Sequence, residues 1–220
     1  MTRILLIRHA QAMGNIHGVF QGHLDSGITE TGEKQLEALA ERMKSVDVSA
    51  VYTSPLIRAR ETAFAANKYH ELPVELVDDL MEIEGGEWEG IPFEDIPKLY
   101  PDQASVWMNE PYNFIAPNGE TMQNVCNRMV SSIAKIAEEN EGKTVCVVSH
   151  GCAIRNYIAF VRYGALEKLA YVEWCDNTAI YTIDYDNGVA KLVGEADASH
   201  LDETISTFKN QSWWKKIKKD

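Results

Sequence analysis

Residues 4–15 read ILLIRHAQAMGN, and the rest of the chain arranges itself around them. Ile4, Leu5, Leu6 and Ile7 form an apolar run with no turn residue inside it. A strand covered on one face only would alternate apolar and polar residues. The unbroken run therefore predicts a strand buried on both faces, as in a parallel sheet. It ends at Arg8-His9, which puts a cation and an imidazole where the strand leaves the sheet. In open α/β sheets that carboxyl edge is where ligands bind. Gly14 and Asn15 then predict a loop.

Further strands and helices follow in alternation. After a loop through Gln21-Gly22-His23 to Gly27, Thr29 or Thr31 is placed to cap a helix with an apolar stripe of Leu36, Leu39, Ala40 and Met43. Residues 50–53 predict a second buried strand, and Ser54-Pro55 opens a helix carrying Arg58 and an Ala-rich face. Residues 74–77 predict a third strand, ending in Asp78-Asp79-Leu80-Met81-Glu82. From 83 to 120 the periodicity breaks down into glycines, prolines and scattered aromatics, which predicts an insertion of loops and short helices covering the site as a lid. Met122, Val125, Met129, Ile133 and Ile136 mark a long amphipathic helix stopped by Gly142. The fourth strand is TVCVVS at 144–149, followed by a helix from Ala153 to Val161 that Gly164 stops. Residues 178–184 and 189–193 flank Asp186-Asn187-Gly188, a hairpin signal. The fold class expected is α/β: a three-layer, doubly wound, mostly parallel sheet with helices on both faces and an antiparallel hairpin near the end.

The chain of 220 residues is long enough for a single sizeable core, and its 45% apolar and 25% charged content is that of a globular protein. It contains no apolar run approaching the roughly 18 residues that a membrane span requires, and no signal peptide is expected. Cys126, Cys146, Cys152 and Cys175 show no CxxC pairing, so reduced, buried thiols in a cytoplasmic protein are expected. The net charge of −12 argues against a nucleic-acid partner. Charge is uneven, because residues 205–220 carry five Lys and one Asp, with Trp213-Trp214 among them. That basic tail is expected to dock its Trp pair on the body rather than anchor stably to a membrane, which takes two signals. Nothing in the sequence sets an oligomeric state.

Arg8 and His9 follow the first strand, Arg58 lies in the helix after the second, Glu82 follows the third and His150 the fourth. All are thus predicted at one edge of the sheet, able to converge on one crevice. Two Arg and two His form a cationic pocket in an acidic chain. That is chemistry for a phosphoryl group, since guanidinium forks match phosphate oxygens and imidazole can be a nucleophile.

These residues also carry a resemblance to the histidine phosphatase superfamily, the phosphoglycerate-mutase-like family. RHAQAMGN at 8–15 resembles its RHGE-type opening with a following Asn. QGHLDSGITETG at 21–32, SPLIRARETA at 54–63 and LMEIEGGEWEG at 80–90 resemble its next three segments, and GET at 119–121 and VSHG at 148–151 its last two. The resemblance implies that neutral His9 attacks phosphorus to give a phosphohistidine that water then hydrolyses. It makes Arg8, Arg58 and His150 the holders of the non-bridging oxygens and Glu82 the proton donor, while Asn15 and Gly22 line the phosphate pocket. Ala10 stands where the family usually has Gly, and Gln11 where it often has Glu, with specificity the property they are placed to alter.

The function expected is a metal-independent phosphatase acting on small phosphomonoesters, with no cofactor. Phosphoglycerate mutase is the first rival. A mutase has to hold a second anionic group, yet residues 83–120 contain eight acidic residues (Glu84, Glu87, Glu89, Glu94, Asp95, Asp102, Glu110, Glu120) and one basic, Lys98. Dedicated fructose-bisphosphate or α-ribazole phosphate phosphatases are rivals within the family, and a phosphate-binding scaffold protein is the non-enzymatic one. His17, His23, His70 and His200 are expected to be surface or local hydrogen-bonding residues, with His23 the nearest to the pocket. Glu84, Glu87 and Glu89 around Trp88 are expected to be a solvated acidic face rather than a metal site.

Overall fold

The computed structural model describes residues 1–210. Trp213, Trp214 and four of the five tail lysines, on which the docking of the tail depends, lie outside the described residues. The strands are β1 (Thr2–Arg8), β2 (Ala50–Thr53), β3 (Val74–Leu76), β4 (Thr144–Ser149), β5 (Ile180–Asp186) and β6 (Val189–Asp197). They form one sheet in the order β3-β2-β4-β1-β5-β6. The first four of that order run parallel, with β5 antiparallel to β1 and β6 antiparallel to β5.

The unbroken apolar run of β1 has the origin expected of it. Ile4 and Leu6 join Val145 and Val147 in one core, against the helices α6 (Met122–Glu139) and α7 (Gly151–Tyr163). Leu5 and Ile7 join Cys146 and Val148 in a second core on the other face, against α2 (Glu30–Met43) and α3 (Ile57–Ala66). Burying each such side chain contributes roughly 1.5–3 kcal/mol. All four cysteines are free and buried.

Local signals set several boundaries. Thr29 caps α2 by accepting from Gly32 N at 2.9 Å, and Thr121 caps α6 by accepting from Asn124 N at 3.0 Å. Gly164 ends α7 in the left-handed conformation. Asn187 and Gly188 both take positive φ, the geometry of a two-residue type I′ hairpin turn.

Two expectations need correction. Gly14 and Asn15 lie within a single helical turn, α1 (Met13–His17), rather than in a loop; Asn15 Oδ1 accepts from Ala12 N at 3.0 Å and satisfies an amide before that turn. Helix α3 begins at Ile57 rather than at Ser54-Pro55, because the Asp25 carboxylate accepts from Ile57 N at 2.8 Å and Ser54 and Pro55 remain in the turn before it. Strand β3 stands where the third strand is expected, paired with β2 at the edge of the sheet and mostly exposed.

Residues 83–120 form short helices, among them α4 (Ile96–Leu99) and α5 (Pro101–Asn109), around an aromatic cluster. Trp88 is buried at its centre, with ring centroids 5.5 Å from Phe20, 5.9 Å from Trp107 and 4.7 Å from Phe114. No helix among the described residues is long and apolar enough to cross a membrane.

Candidate active site

A cavity of about 650 Å³ opens at the carboxyl edge of the parallel strands. Arg8, His9, Asn15, Gly22, Arg58 and Glu82 all line it. His150 does not: it is fully buried behind the wall, its ring centroid 5.2 Å from that of His9.

His9 is fixed through its backbone. Its amide donates to Ser149 O at 3.0 Å, tying it to β4, and its carbonyl accepts from Asn177 Nδ2 at 2.8 Å. The neighbouring Thr178, which takes a positive φ, donates its amide to Arg8 O at 3.0 Å. The imidazole Nδ1 lies 2.7 Å from Ala10 O. A carbonyl can only accept, so the proton of the neutral ring belongs on Nδ1, and Nε2 keeps its lone pair. Burial first, then Arg58 and Arg8, hold the His9 pKa well below 6.5. Ala10 is also accommodated. It is not among the residues with positive φ, and its amide donates to Thr62 Oγ1 at 2.9 Å.

Arg58 is almost wholly buried, with Nη1 donating to Leu24 O at 2.8 Å and Nη2 to Gly22 O at 2.7 Å. Burial lowers its pKa to about 10, against the pull of Glu82, Asp25 and Glu89, so it remains a cation at neutral pH. Arg8 donates through Nη1 to Cys175 O. The Nε atoms of both arginines are buried without a hydrogen-bond partner among the described residues. Leaving such a donor unsatisfied costs about 1–3 kcal/mol, a penalty that a bound oxyanion removes. Gly22 has φ +52°, and a Cβ there would overlap the Glu89 carboxylate, which accepts from His23 N at 2.8 Å and Gly85 N at 2.9 Å. Glu89 is thus a structural acceptor rather than part of a solvated face.

Glu82 is held by the start of α7. Its Oε2 accepts from Cys152 N at 3.0 Å, and its Oε1 from Ala153 N and Ile83 N, each at 3.0 Å. Helix α7 has no local side-chain cap, and this distant carboxylate satisfies its first amides instead. His150 Nε2 lies 2.8 Å from Ser54 Oγ, and burial first, then Arg58 and His9, lower its pKa well below 6.5. His23 Nε2 lies 2.8 Å from Glu82 O, which makes it a local partner of the Glu82 backbone.

The rest of the cavity wall is mostly apolar, including Phe20, Phe93, Trp107, Met108 and Trp174. Of the eight acids in 83–120 only Glu94 lines it, together with Glu82 and Glu173 from elsewhere. Sequence reasoning missed Arg155, whose guanidinium stacks 4.2 Å from the Trp174 ring and donates to Val172 O at 2.9 Å and Leu169 O at 3.2 Å. It also missed Thr207 and Phe208, which close one side of the cavity. Thr207 Oγ1 accepts from Gln35 Nε2 at 3.0 Å and Gln11 Nε2 at 3.2 Å, and Gln11 Oε1 accepts from Thr29 Oγ1 at 2.7 Å. The position where the family often has Glu therefore belongs to a network that pins this wall. No local pattern signals it, since Gln11, Gln35 and Thr207 are far apart in the sequence.

Comparison with known proteins identifies the family. The model of the histidine phosphatase superfamily (branch 1) matches residues 4–198. Phosphoserine phosphatase 1 of Hydrogenobacter thermophilus is 32% identical over 195 residues, covering 87% of this chain and 92% of that protein. The uncharacterized phosphatase PhoE of Bacillus subtilis is 34% identical over 164 residues, covering 74% of this chain and 79% of its own length. Among solved structures, Bacillus stearothermophilus YhfR superposes with a TM-score of 0.87 at 29% identity, over 91% of this chain and 99% of that one.

Proposed function

Because the chain belongs to the histidine phosphatase superfamily and is a phosphatase, as its relatives are named, we propose that it hydrolyses small phosphomonoesters through a phosphohistidine at His9, without a metal ion. The observation that carries this reading is the pairing, in one cavity, of a neutral imidazole whose Nδ1 is committed to Ala10 O with two guanidinium groups whose buried Nε–H donors lack partners among the described residues. The free Nε2 lone pair of His9 attacks phosphorus, and the ester P–O bond breaks. Glu82 gives its proton to the departing oxygen. Water then attacks the phosphohistidine, Glu82 takes a proton from it, and His9 leaves with its lone pair restored. Arg8 and Arg58 carry the charge of the phosphoryl oxygens, the role a metal ion fills elsewhere. His150, one layer back, supports His9 and the oxyanion from behind. Asn15 and Gly22 complete the phosphate cradle. The mostly apolar remainder of the cavity favours leaving groups without further negative charge.

The test is to trap the intermediate. Brief incubation with a ³²P-labelled ester, followed by denaturation, should leave acid-labile, base-stable label on His9, and His9→Ala should show neither label nor turnover. Label on His150, or turnover by His9→Ala, overturns the assignment.

A further inference from the structure

Arg128, on α6, lies outside the cavity walls, yet all five of its N–H groups are spent on the turn that carries Glu82 and on the acid beside it. Nη1 donates to Asp79 O at 2.7 Å and Met81 O at 2.6 Å. Nη2 donates to Glu82 O at 3.0 Å and Glu120 Oε2 at 3.0 Å, and Nε to Glu120 Oε1 at 2.8 Å. Guanidinium has five such donors in a fixed fork, so this set is complete. Both side chains of the pair are largely shielded, at 16% and 15% exposure, which removes most of the screening that makes surface pairs weak.

Glu120 is itself tied to the same segment. Its amide donates to Glu84 O at 2.9 Å, and its Oε2 accepts from Glu84 N at 3.3 Å. Glu82 is therefore gripped at both ends. Arg128 fixes its backbone carbonyl and those of Asp79 and Met81, while the amides of Cys152 and Ala153 fix its carboxylate. Leu80 and Ile83 on either side are fully buried, so the turn has a packed base. A proton donor is useful only where it reaches the leaving oxygen, and displacing a catalytic group by about 1 Å can cost roughly 10²-fold.

We propose that Arg128, locked by Glu120, is a positioning residue for Glu82, and that it determines how well the enzyme cleaves esters whose leaving groups need a proton. The proposal rests on the reading of Glu82 as proton donor. Arg128→Lys keeps the charge but replaces the five-donor fork with three donors on a flexible stem, too few for this set of acceptors.

The experiment measures kcat/KM for wild type, Glu82→Gln, Arg128→Lys and Glu120→Gln across a series of phosphomonoesters running from nitrophenyl to simple alkyl, with a melting temperature for each variant. Arg128→Lys should lose about ten- to hundredfold on alkyl esters and only a few-fold on nitrophenyl phosphate, steepening the dependence on leaving-group pKa in the same sense as Glu82→Gln. Glu120→Gln should steepen it less. Equal losses on every ester, or a lowered melting temperature with the wild-type dependence intact, would make Arg128 a merely structural residue and overturn the proposal. If Arg128→Lys does not fold, the dependence in Glu120→Gln decides in the same way. A flat response in Glu82→Gln itself would instead refute the assignment of the proton donor.

Discussion

His150 Nε2 and Ser54 Oγ stand 2.8 Å apart, and Ser54 Oγ also accepts from Leu56 N at 3.3 Å. The hydroxyl proton is then available to Nε2, which places the imidazole proton on Nδ1, a buried atom with no hydrogen-bond partner among the described residues. Neutral His150 is thereby fixed behind His9, with the two ring centroids 5.2 Å apart. His150→Ala should lower kcat/KM by about 10²-fold, because it removes the packing that holds His9 in place. Ser54→Ala, which frees the tautomer, should lower it by about tenfold. Steady-state kinetics check both, and wild-type rates in either variant would contradict this arrangement.

The depressed pKa of His9 predicts a pH profile. As the proposed nucleophile His9 must be unprotonated, so a pKa well below 6.5 extends activity downwards in pH. Once the substrate's own ionisation is allowed for, the acid limb of kcat/KM should lie below pH 6.5.

Stability follows from the same shift. His9 and His150 stay neutral in the fold but take up protons below about pH 6.5 when unfolded. The unfolded chain then binds more protons. Their stability contribution is complete above that pH and declines below it, by up to roughly 1.4 kcal/mol per pH unit for each imidazole. Denaturant midpoints at pH 7 and pH 5 measure it, and the drop should be smaller in His9→Asn. An equal drop in both proteins would contradict the assignment.

Gly151 sits where α7 meets the site. A Cβ there would lie 3.0 Å from Trp174 Cζ3 and 3.3 Å from Arg8 Nε. Trp174 is stacked on Arg155 and has little room to give. In Gly151→Ala, Arg8 should shift by a few tenths of an ångström, weakening inhibition by inorganic phosphate and lowering kcat/KM by about tenfold. Melting temperature should fall by a few degrees, because overpacking costs about 1–3 kcal/mol and Gly151, the first residue of α7, regains little helix propensity.

Substrate choice should follow the cavity walls. Aryl phosphates should exceed 2,3-bisphosphoglycerate in kcat/KM by at least about tenfold at low salt, and the gap should narrow as salt screens the surrounding acids. Efficient interconversion of 2- and 3-phosphoglycerate would hand the case to a mutase.

Chelation should leave activity unchanged, because the positive charge comes from Arg8 and Arg58. A loss with EDTA that a divalent ion restores would refute the metal-independent mechanism.

The parts of this molecule that were legible in the sequence are those written in local pattern. The apolar runs of β1 and β4, the stripes of α2, α6 and α7, and Asn187-Gly188 each specify their element without reference to distant residues. The spread of Arg8, His9, Arg58 and Glu82 over successive strand ends pointed to one edge of the sheet because topology places strand ends together. What escaped notice depends on partners far along the chain. Arg128 is a charged residue on an amphipathic helix, indistinguishable by pattern from the solvated face, and only the folded chain brings the carbonyls of 79–82 to it. Thr207 and Phe208 lie more than a hundred positions from most of the wall they complete. Helix α1 is a single turn, too short to show periodicity.

The central place of β1 has a consequence for how the protein is made. Its hydrogen-bonding partners on the two sides begin only at Thr144 and Ile180. At a synthesis rate of about 5–20 residues per second, the strand that leads into His9 waits on the order of seven to thirty seconds with both edges bare, and longer with one. During that interval an apolar segment is open to pairing with any other extended chain, the hazard that edge strands present. Residues 144–149 and 180–185 must therefore be synthesised before His9 is fixed at the end of its strand, and residues 2–8 stay open to such pairing until the hairpin arrives.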